Sequence, residues 1–211
     1  MPIQRPIQRP QLLPLFPLSP LSPLLLFFLL FSAAPSRAAD AKLDDPPIVR
    51  AVKSGSIKRL MRVLHDARDG GQLPAVVDER NENGATALSW AAHSGDLNMI
   101  DALLQSGATV DLANSRGYTP LMMACMHEHS AAALWLLRHG AAPDVVTSDS
   151  QSTALMFAAW KGLGEVVQEL IQAGADMNLE DAHGHRAISI AEGEGHRDIT
   201  MMIGRRSGLM L

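Results

Sequence analysis

Apolar residues in this sequence recur in blocks of similar length and layout. Each full block has a short apolar run after a Thr, then a turn, then a second apolar run that ends in two aliphatic residues and a Gly-Ala step. The Thr residues that open the blocks are Thr86, Thr119 and Thr153, and a period of about 33 residues is typical of helical repeats. This pattern predicts two short helices per block, which stack on those of the next block to bury their apolar faces.

Several positions recur in every full copy, which makes the repeat specific. The first run holds small residues, such as Ala91-Ala92 and Ala158-Ala159, that allow close packing of helices. The second run ends in an aliphatic pair, such as Leu103-Leu104. A fourth copy begins at Arg186, and a degenerate copy at 48–64 precedes the others. The repeat therefore spans nearly all of the chain that follows Pro47.

The segment Thr119-Pro120-Leu121 and the period of the repeat resemble the ankyrin-repeat family. The resemblance covers the range from about Pro46 to Ile203 and implies an all-α solenoid of about five stacked helix-turn-helix units with finger loops. The predicted segments are a signal peptide at 1–38, a linker at 39–47, a degenerate N-terminal capping repeat at 48–80, ankyrin repeats at 81–113, 114–147 and 148–180, and a C-terminal capping repeat with a tail at 181–211.

The chain departs from the family pattern at its turns and fingers. Glu128 occupies the turn position that Gly95 and Gly162 hold in other copies. If that position keeps a left-handed backbone conformation, we expect Glu128 to lower the stability of the folded protein by about 1–2 kcal/mol relative to glycine. The finger at 144–152 is one residue longer than the others and lacks their Gly, and the stretch 66–75 lengthens the connection after the first copy.

The segment that ends at Ala38 has the order of a secretory signal peptide. Arg5 and Arg9 give a basic start, the apolar stretch is densest at 24–31, and small residues lead to Ser36-Arg37-Ala38. We therefore predict export to the periplasm or out of the cell, with cleavage after Ala38. The uninterrupted apolar run is far shorter than the roughly 20 residues of a membrane-spanning helix. A retained anchor and an organelle transit peptide remain open as alternatives.

Charge and composition narrow the class of partner. Three of the 18 basic residues lie before Ala38, whereas all 22 acidic residues follow it, so the part after Ala38 has a net charge of −7. Proteins that bind nucleic acid or anionic membranes carry clustered Lys and Arg, and an excess of acid disfavours both partners. Cys125 is the sole cysteine, which excludes an internal disulfide and a zinc site built on paired cysteines.

Eight histidines raise the question of metal or acid–base chemistry. His183 and His185 flank one finger tip, and they carry the alternative of a metal-binding or enzymatic protein. His93 lies one repeat from His127, and helix packing predicts a separation of about 8–10 Å, too far for a shared ion. We therefore expect no metal, no cofactor and no catalytic site, with Cys125 in the core.

The family resemblance assigns partner binding to a concave face formed by the fingers and by the residues just before each inter-helix turn. The partner-binding candidates at these places are Arg80, Asn83, His93, Arg116, Tyr118, His127, Trp160, Lys161, His183 and His185. Tyr118, Trp160 and Arg116 are residue types common at interface hot spots. We expect Tyr118 and Trp160 to be dispensable for packing, because the equivalent positions hold unrelated residues such as Ser152 and His93.

Together these patterns predict a non-catalytic, monomeric module that binds another protein. Exported single-domain ankyrin proteins of bacteria are similar to it in layout, and some of that group are linked to protection against oxidants. The resemblance thus implies a stress-protection role in the periplasm.

Overall fold

The computed structural model describes residues 45–206, and the regular structure in that range is entirely helical. The helices are α1 Pro47–Lys53, α2 Ile57–Asp69, α3 Leu73–Val77, α4 Ala87–Ser94, α5 Leu97–Gln105, α6 Pro120–Met126, α7 Ser130–Arg138, α8 Ala154–Trp160, α9 Gly164–Gln172, α10 Ala187–Glu194 and α11 Arg197–Arg206. Apart from the short α3 they form five pairs, which confirms the predicted solenoid. The signal peptide and the cleavage after Ala38 lie outside the described residues.

The Thr residues that mark the repeat are the N-caps of the first helices. The side-chain oxygens of Thr86, Thr119 and Thr153 each accept a hydrogen bond from the backbone N–H three residues later, at 3.2–3.3 Å. Pro120 follows Thr119 at the first helical position, where its missing N–H costs nothing. These caps satisfy backbone donors that would otherwise lack partners, so they fix where each first helix begins.

The core runs continuously from one helix pair to the next. First helices pack on first helices along the series α1, α4, α6, α8 and α10, and second helices pack on second helices. Ala91, Ala124 and Ala158 are fully buried where the first helices meet, and Leu103 and Leu136 are fully buried on the second helices. Small residues let the backbones approach, and the aliphatic residues fill the remaining space.

Left-handed backbone conformations occur at the turns whether or not glycine is present. Gly95 and Gly162 have φ of 67° and 70°, and Glu128, at the equivalent turn, keeps φ at 62°. The finger that lacks its Gly places Gln151 at φ 51° instead. Glu128 and Gln151 therefore both have a strained backbone conformation. The sequence suggested this strain for Glu128.

Neighbouring fingers are joined by backbone hydrogen bonds. The N–H of Ser115 donates to the carbonyl of Asn83 at 3.0 Å, and the N–H of Ser148 donates to the carbonyl of Arg116 at 2.9 Å. The approach is close, because a Cβ built on Gly117 would lie 2.7 Å from the nitrogen of Ser148. These bonds align the fingers along one side of the stack.

The first repeat contains more ordered structure than its sequence suggested. The inserted stretch extends α2 to Asp69 and leads into α3, where Val77 is buried. Asp45, at the end of the predicted linker, is also buried and lies 2.7 Å from the ammonium of Lys53. Across residues 45–206, none of the helices has both the length and the apolar character needed to cross a bilayer.

Candidate protein-binding surface

The helices α1, α4, α6 and α8 pack side by side, and contacts between residues near their C-terminal ends place those ends in a row. Large side chains near these ends form a surface that we name the pre-turn surface. Its members are Lys53, Trp90, His93, His127, Trp160 and Lys161. Each of these residues is half-buried as a whole. Only 8% of the Lys53 side chain is exposed, so the accessible part of the surface comes mainly from the other five.

Each end of the pre-turn surface has a lysine over an indole ring. The ammonium of Lys53 lies 4.2 Å from the centre of the Trp90 ring, and that of Lys161 lies 3.9 Å from the centre of the Trp160 ring. Lys161 also lies 3.1 Å from a carboxylate oxygen of Glu128. Cation–π contact of this kind is worth about 0.5–1 kcal/mol at exposed sites, and here it holds flexible lysines in one place.

Three histidines meet between the two lysines. The ring centres of His93 and His127 are 4.0 Å apart, and the Nε2 atom of His129 donates to the carbonyl of His93 at 3.0 Å. The sequence-based separation of His93 and His127 is therefore wrong. Helix packing distance describes the axes, whereas these side chains project toward each other from adjacent helix ends. The ring of Trp90 continues the cluster, 5.3 Å from that of His93.

Burial and neighbouring positive charge keep these imidazoles neutral. Burial lowers the pKa of His127 to about 4, and the charges of His93, His129 and Lys161 act in the same direction. Burial, with a smaller effect of His129, also lowers the pKa of His93. Both effects penalise the charged form, so the two rings are uncharged at neutral pH.

Three ring nitrogens of this cluster are buried without a hydrogen-bond partner among the described residues. They are Trp90 Nε1, His93 Nδ1 and His127 Nε2. Trp135 Nε1, on α7, is a fourth such atom elsewhere in the structure. Buried polar atoms in proteins nearly always have partners, so three exceptions in one cluster mark it as unusual.

The finger candidates are arranged separately and partly engage one another. Arg116 binds Asp149 of the next finger, with 2.6 Å between Nη2 and Oδ2, and Arg80 donates to a carbonyl of the next finger at 3.0 Å. The hydrogen bonds and charge of Arg116, with the Ser150 N–H, outweigh the opposing effect of burial and lower the pKa of Asp149. Both arginines therefore brace neighbouring fingers.

The remaining finger candidates are the more accessible ones. Asn83 and His183 are exposed, and His185 is half-buried. The rings of His183 and His185 are 6.1 Å apart, and His185 Nδ1 lies 3.4 Å from a carboxylate oxygen of Asp181. Asp181 is buried and also accepts the backbone N–H of each histidine at 2.8 Å, so its first role is to shape the turn.

Tyr118 does not belong to the exposed surface that the sequence suggested. Only 4% of it is exposed, and its ring packs 5.8 Å from that of Phe157 on α8. Its counterparts Ala85 and Ser152 are buried as well. The position is therefore an interior one, and we correct its assignment from partner binding to packing. Burial raises the pKa of the Tyr118 hydroxyl, and Asp149 adds to this effect against the opposing charge of Arg116.

The chemistry-bearing groups do not assemble into a metal centre in the described part of the chain. Among residues 45–206, no group of three or more His, Cys, Asp or Glu side chains could hold an ion. Cys125 is fully buried on α6, as the sequence predicted, and burial raises the pKa of its thiol to about 12. At neutral pH the buried thiol is therefore protonated, and the thiolate is the nucleophilic form.

Sequence reasoning missed Lys53 and Trp90 as members of the surface. Lys53 is two residues before the turn of the first copy, at the same register as His93 and Trp160. This shared position could have identified Lys53 as part of the surface. The degenerate sequence of the first copy, however, predicts only a capping repeat. Trp90 shares its register with Met123 and Phe157, which favours a packing role for all three.

Comparison with known proteins agrees with the fold. The sequence matches the family described as ankyrin repeats (3 copies) over residues 48–147 and 107–181. It is 32% identical to cyclin-dependent kinase inhibitor 2A of Homo sapiens over 127 residues, which cover 60% of this chain and 81% of that protein. It is 31% identical to cyclin-dependent kinase 4 inhibitor B of Rattus norvegicus over 121 residues, covering 57% of this chain and 92% of the other.

A third relative covers more of the chain. Ankyrin repeat domain-containing protein 63 of Mus musculus is 30% identical over 156 residues, which are 70% of this chain and 38% of that protein. The family match spans well over half of the sequence, in the same region where the structure stacks five helix pairs. The chain therefore belongs to the ankyrin-repeat family, whose repeats form a protein–protein interaction module.

Proposed function

We propose that this protein is exported, lacks catalytic activity and binds a partner protein through the pre-turn surface and the adjoining finger tips. In the family's geometry this is the concave face of the solenoid. The observation that carries the proposal is the composition of the pre-turn surface. It presents two indole rings, each under a lysine, and three buried ring nitrogens without partners among the described residues.

The energetics of recognition favour this surface over the fingers. Trp is among the residue types most enriched at hot spots, and partly desolvated aromatic rings contribute most when a partner completes their burial. Trp90 and Trp160 meet both conditions. The finger arginines already engage the next finger, so a partner would have to compete with those bonds.

The location and cellular role follow from the segment that ends at Ala38 and from the family resemblance. We propose that cleavage after Ala38 releases the repeats into the periplasm or the extracellular space, where they act in stress protection. Exported ankyrin proteins linked to oxidants support this role. Loss of the gene should increase sensitivity to peroxide, and restoration of the full-length gene should reverse it. An unchanged sensitivity would contradict the stress role but not protein binding.

The partner is proposed to be a protein rather than nucleic acid or membrane, and the chain to act as a monomer without a cofactor. The net charge of −7 after Ala38 supports the first part, because nucleic acids and anionic lipids repel an acidic protein. The kinase inhibitors among its relatives are named for action on another protein. That resemblance supports a binding function without indicating the same target.

The test is a comparative capture experiment. The chain from Ala39 onward is immobilised and exposed to the compartment fraction of its host, together with matched columns carrying Trp160→Ala and Trp135→Ala. A protein retained by the parent and the Trp135→Ala column but lost from the Trp160→Ala column supports the proposal. Equal retention on all three columns contradicts it.

A further inference from the structure

We propose that Trp90, His93 and His127 form a receptor for a single carboxylate group carried by an acidic side chain of the partner. This rests on the proposed function and specifies the chemistry of the same surface. The carboxylate would accept hydrogen bonds from Trp90 Nε1, His93 Nδ1 and His127 Nε2, the three ring nitrogens that have no partner among the described residues.

The geometry places these donors together on adjacent repeats. The rings of Trp90 and His93 are 5.3 Å apart and those of His93 and His127 are 4.0 Å apart, so the three form one contiguous cluster. A carboxylate has two oxygens with about four acceptor sites, which suits a small group of neighbouring donors. A neutral amide or hydroxyl group would leave part of the cluster unsatisfied.

The indole nitrogen selects an acceptor rather than a cation, and each imidazole can adopt the tautomer in which its unpartnered nitrogen carries the proton. An indole N–H can only donate, and it repels a metal ion or an ammonium group. The other nitrogen-bearing neighbours are His129, whose Nε2 is occupied by the carbonyl of His93, and Lys161, whose charge acts on His127. The charge of Lys161 beside the cluster favours an anion.

The two carboxylates paired with lysines of the pre-turn surface are already engaged. Asp45 is bound by Lys53 at 2.7 Å, and Glu128 is bound by Lys161 at 3.1 Å. Among the described residues, the titratable and charged groups that act on the two imidazoles, besides each other, are His129 and Lys161, and Lys161 is paired with Glu128.

The donors reach the surface by rotation of the rings. The three nitrogen atoms are covered, yet their side chains are only half-buried. The terminal torsion of histidine is broad and roughly two-fold, so we infer that a turn of either imidazole presents its nitrogen to a carboxylate. The site is therefore closed in the free protein and opens when an acceptor offsets the cost of rotation with hydrogen bonds.

Binding is coupled to proton uptake. In the free protein burial holds His127 and His93 neutral. A bound carboxylate stabilises the imidazolium form and so raises the pKa of the imidazole that it contacts. By linkage, affinity for the carboxylate rises as pH falls from about 7 toward about 5, which is the range in which histidines change charge.

The direct probe is sodium acetate, with sodium chloride at matched ionic strength as the control. Nuclear magnetic resonance follows the indole N–H of Trp90, Trp135 and Trp160 and the ring carbons of the histidines. Acetate should shift the signals of Trp90, His93 and His127 in a saturable manner, more strongly at lower pH, and leave Trp135 unmoved. It should also raise the titration midpoint of at least one of the two imidazoles.

Two variants test whether acetate binds at the proposed cluster. Trp90→Phe retains a ring but removes the donor, and His183→Asn changes a histidine outside the cluster. At least a threefold loss of acetate affinity in Trp90→Phe, with none in His183→Asn, is expected. Shifts no larger than those in chloride, or equal affinity in Trp90→Phe, would overturn the carboxylate site. Partner capture that still depends on Trp160 would then leave the proposed function standing.

Discussion

The Nε2 atom of His129 lies 3.0 Å from the carbonyl oxygen of His93, and the same relationship recurs between His196 and Trp160 at 3.2 Å. In each case the histidine just after one turn donates to the last turn of the first helix in the preceding repeat. A carbonyl can only accept, so Nε2 carries the proton. These bonds satisfy helix-end carbonyls that lack partners within the helix.

Replacement of His129 by alanine should therefore lower the free energy of unfolding by about 1–2 kcal/mol, because a partly buried carbonyl loses its donor. His196→Ala should behave alike. Chemical denaturation measures both. His183→Ala, at an exposed finger tip, is the matched control and should change little. If the three variants unfold at the same denaturant concentration, the inter-repeat bond contributes nothing to stability.

Gln151 is the residue at which a glycine should stabilise the protein. Its φ of 51° lies in the left-handed region, where a side chain costs about 1–2 kcal/mol. Part of that gain is offset by the greater freedom of glycine in the unfolded chain, so Gln151→Gly should add about 0.5–1 kcal/mol. Glu128→Gly should act in the same direction, since its exposed ion pair with Lys161 is worth little.

The control for this prediction is the opposite substitution at Gly95, the turn residue that corresponds to Glu128 in the preceding repeat. Gly95 has φ 67°, and a Cβ placed there would lie 2.5 Å from the ring of His129. Gly95→Ala should therefore destabilise the protein in the same thermal melts. A lower melting temperature for Gln151→Gly would show that its side chain makes a stabilising contact.

Tyr118 should behave as a core residue. Truncation to alanine removes a buried ring that packs against Phe157, and comparable truncations cost about 3–5 kcal/mol. Tyr118→Phe keeps the ring and should cost much less. Equilibrium denaturation separates the two variants. If both variants lower the free energy of unfolding by the same small amount, Tyr118 is not a core residue.

Stability should fall as pH falls from about 6.5 toward about 4. The unfolded chain protonates His127 and His93 near the ordinary histidine pKa of about 6.5, whereas the folded pKa of His127 is about 4. Between these values the unfolded state binds more protons, so acid favours unfolding. His127→Gln should flatten the dependence of melting temperature on pH in this window. An unchanged slope in that variant would contradict a buried, neutral His127.

Local signals in the sequence predicted much of the fold. The Thr caps, the glycines at the turns and the buried alanines all act within one helix or one turn, so their periodic recurrence identified the helix pairs. The core position of Cys125 followed from its counterparts in the other copies, which are small. That comparison works wherever the equivalent residue packs in the same way.

The same reasoning failed for Tyr118. Its counterparts Ala85 and Ser152 are small, which suggested a position that packing does not need, but both are buried. In its copy the space around the tyrosine ring is bounded by Phe157 on a helix of the next repeat. The size of that space depends on helices from two repeats, and no single repeat encodes it.

The contacts between neighbouring repeats also could not be predicted from the sequence. Asp78, Asp111 and Asp144 recur at the period of the repeat, and each accepts a backbone N–H from the following repeat at 2.9–3.0 Å. Their period is visible in the sequence, but their partners lie a whole repeat away along the chain. The meeting of His93 with His127 was missed for the same reason, since it depends on side-chain direction at two helix ends.

The most direct test of the pre-turn surface is the dissociation constant of the captured partner for the parent chain and for Trp160→Ala, with Trp135→Ala as the control. We predict a loss of about 2 kcal/mol, or about 30-fold in Kd, for Trp160→Ala. Helix content should be unchanged at the temperature of measurement, and Trp135→Ala should match the parent. An unchanged Kd for Trp160→Ala, or a loss confined to Trp135→Ala, would contradict binding through the pre-turn surface.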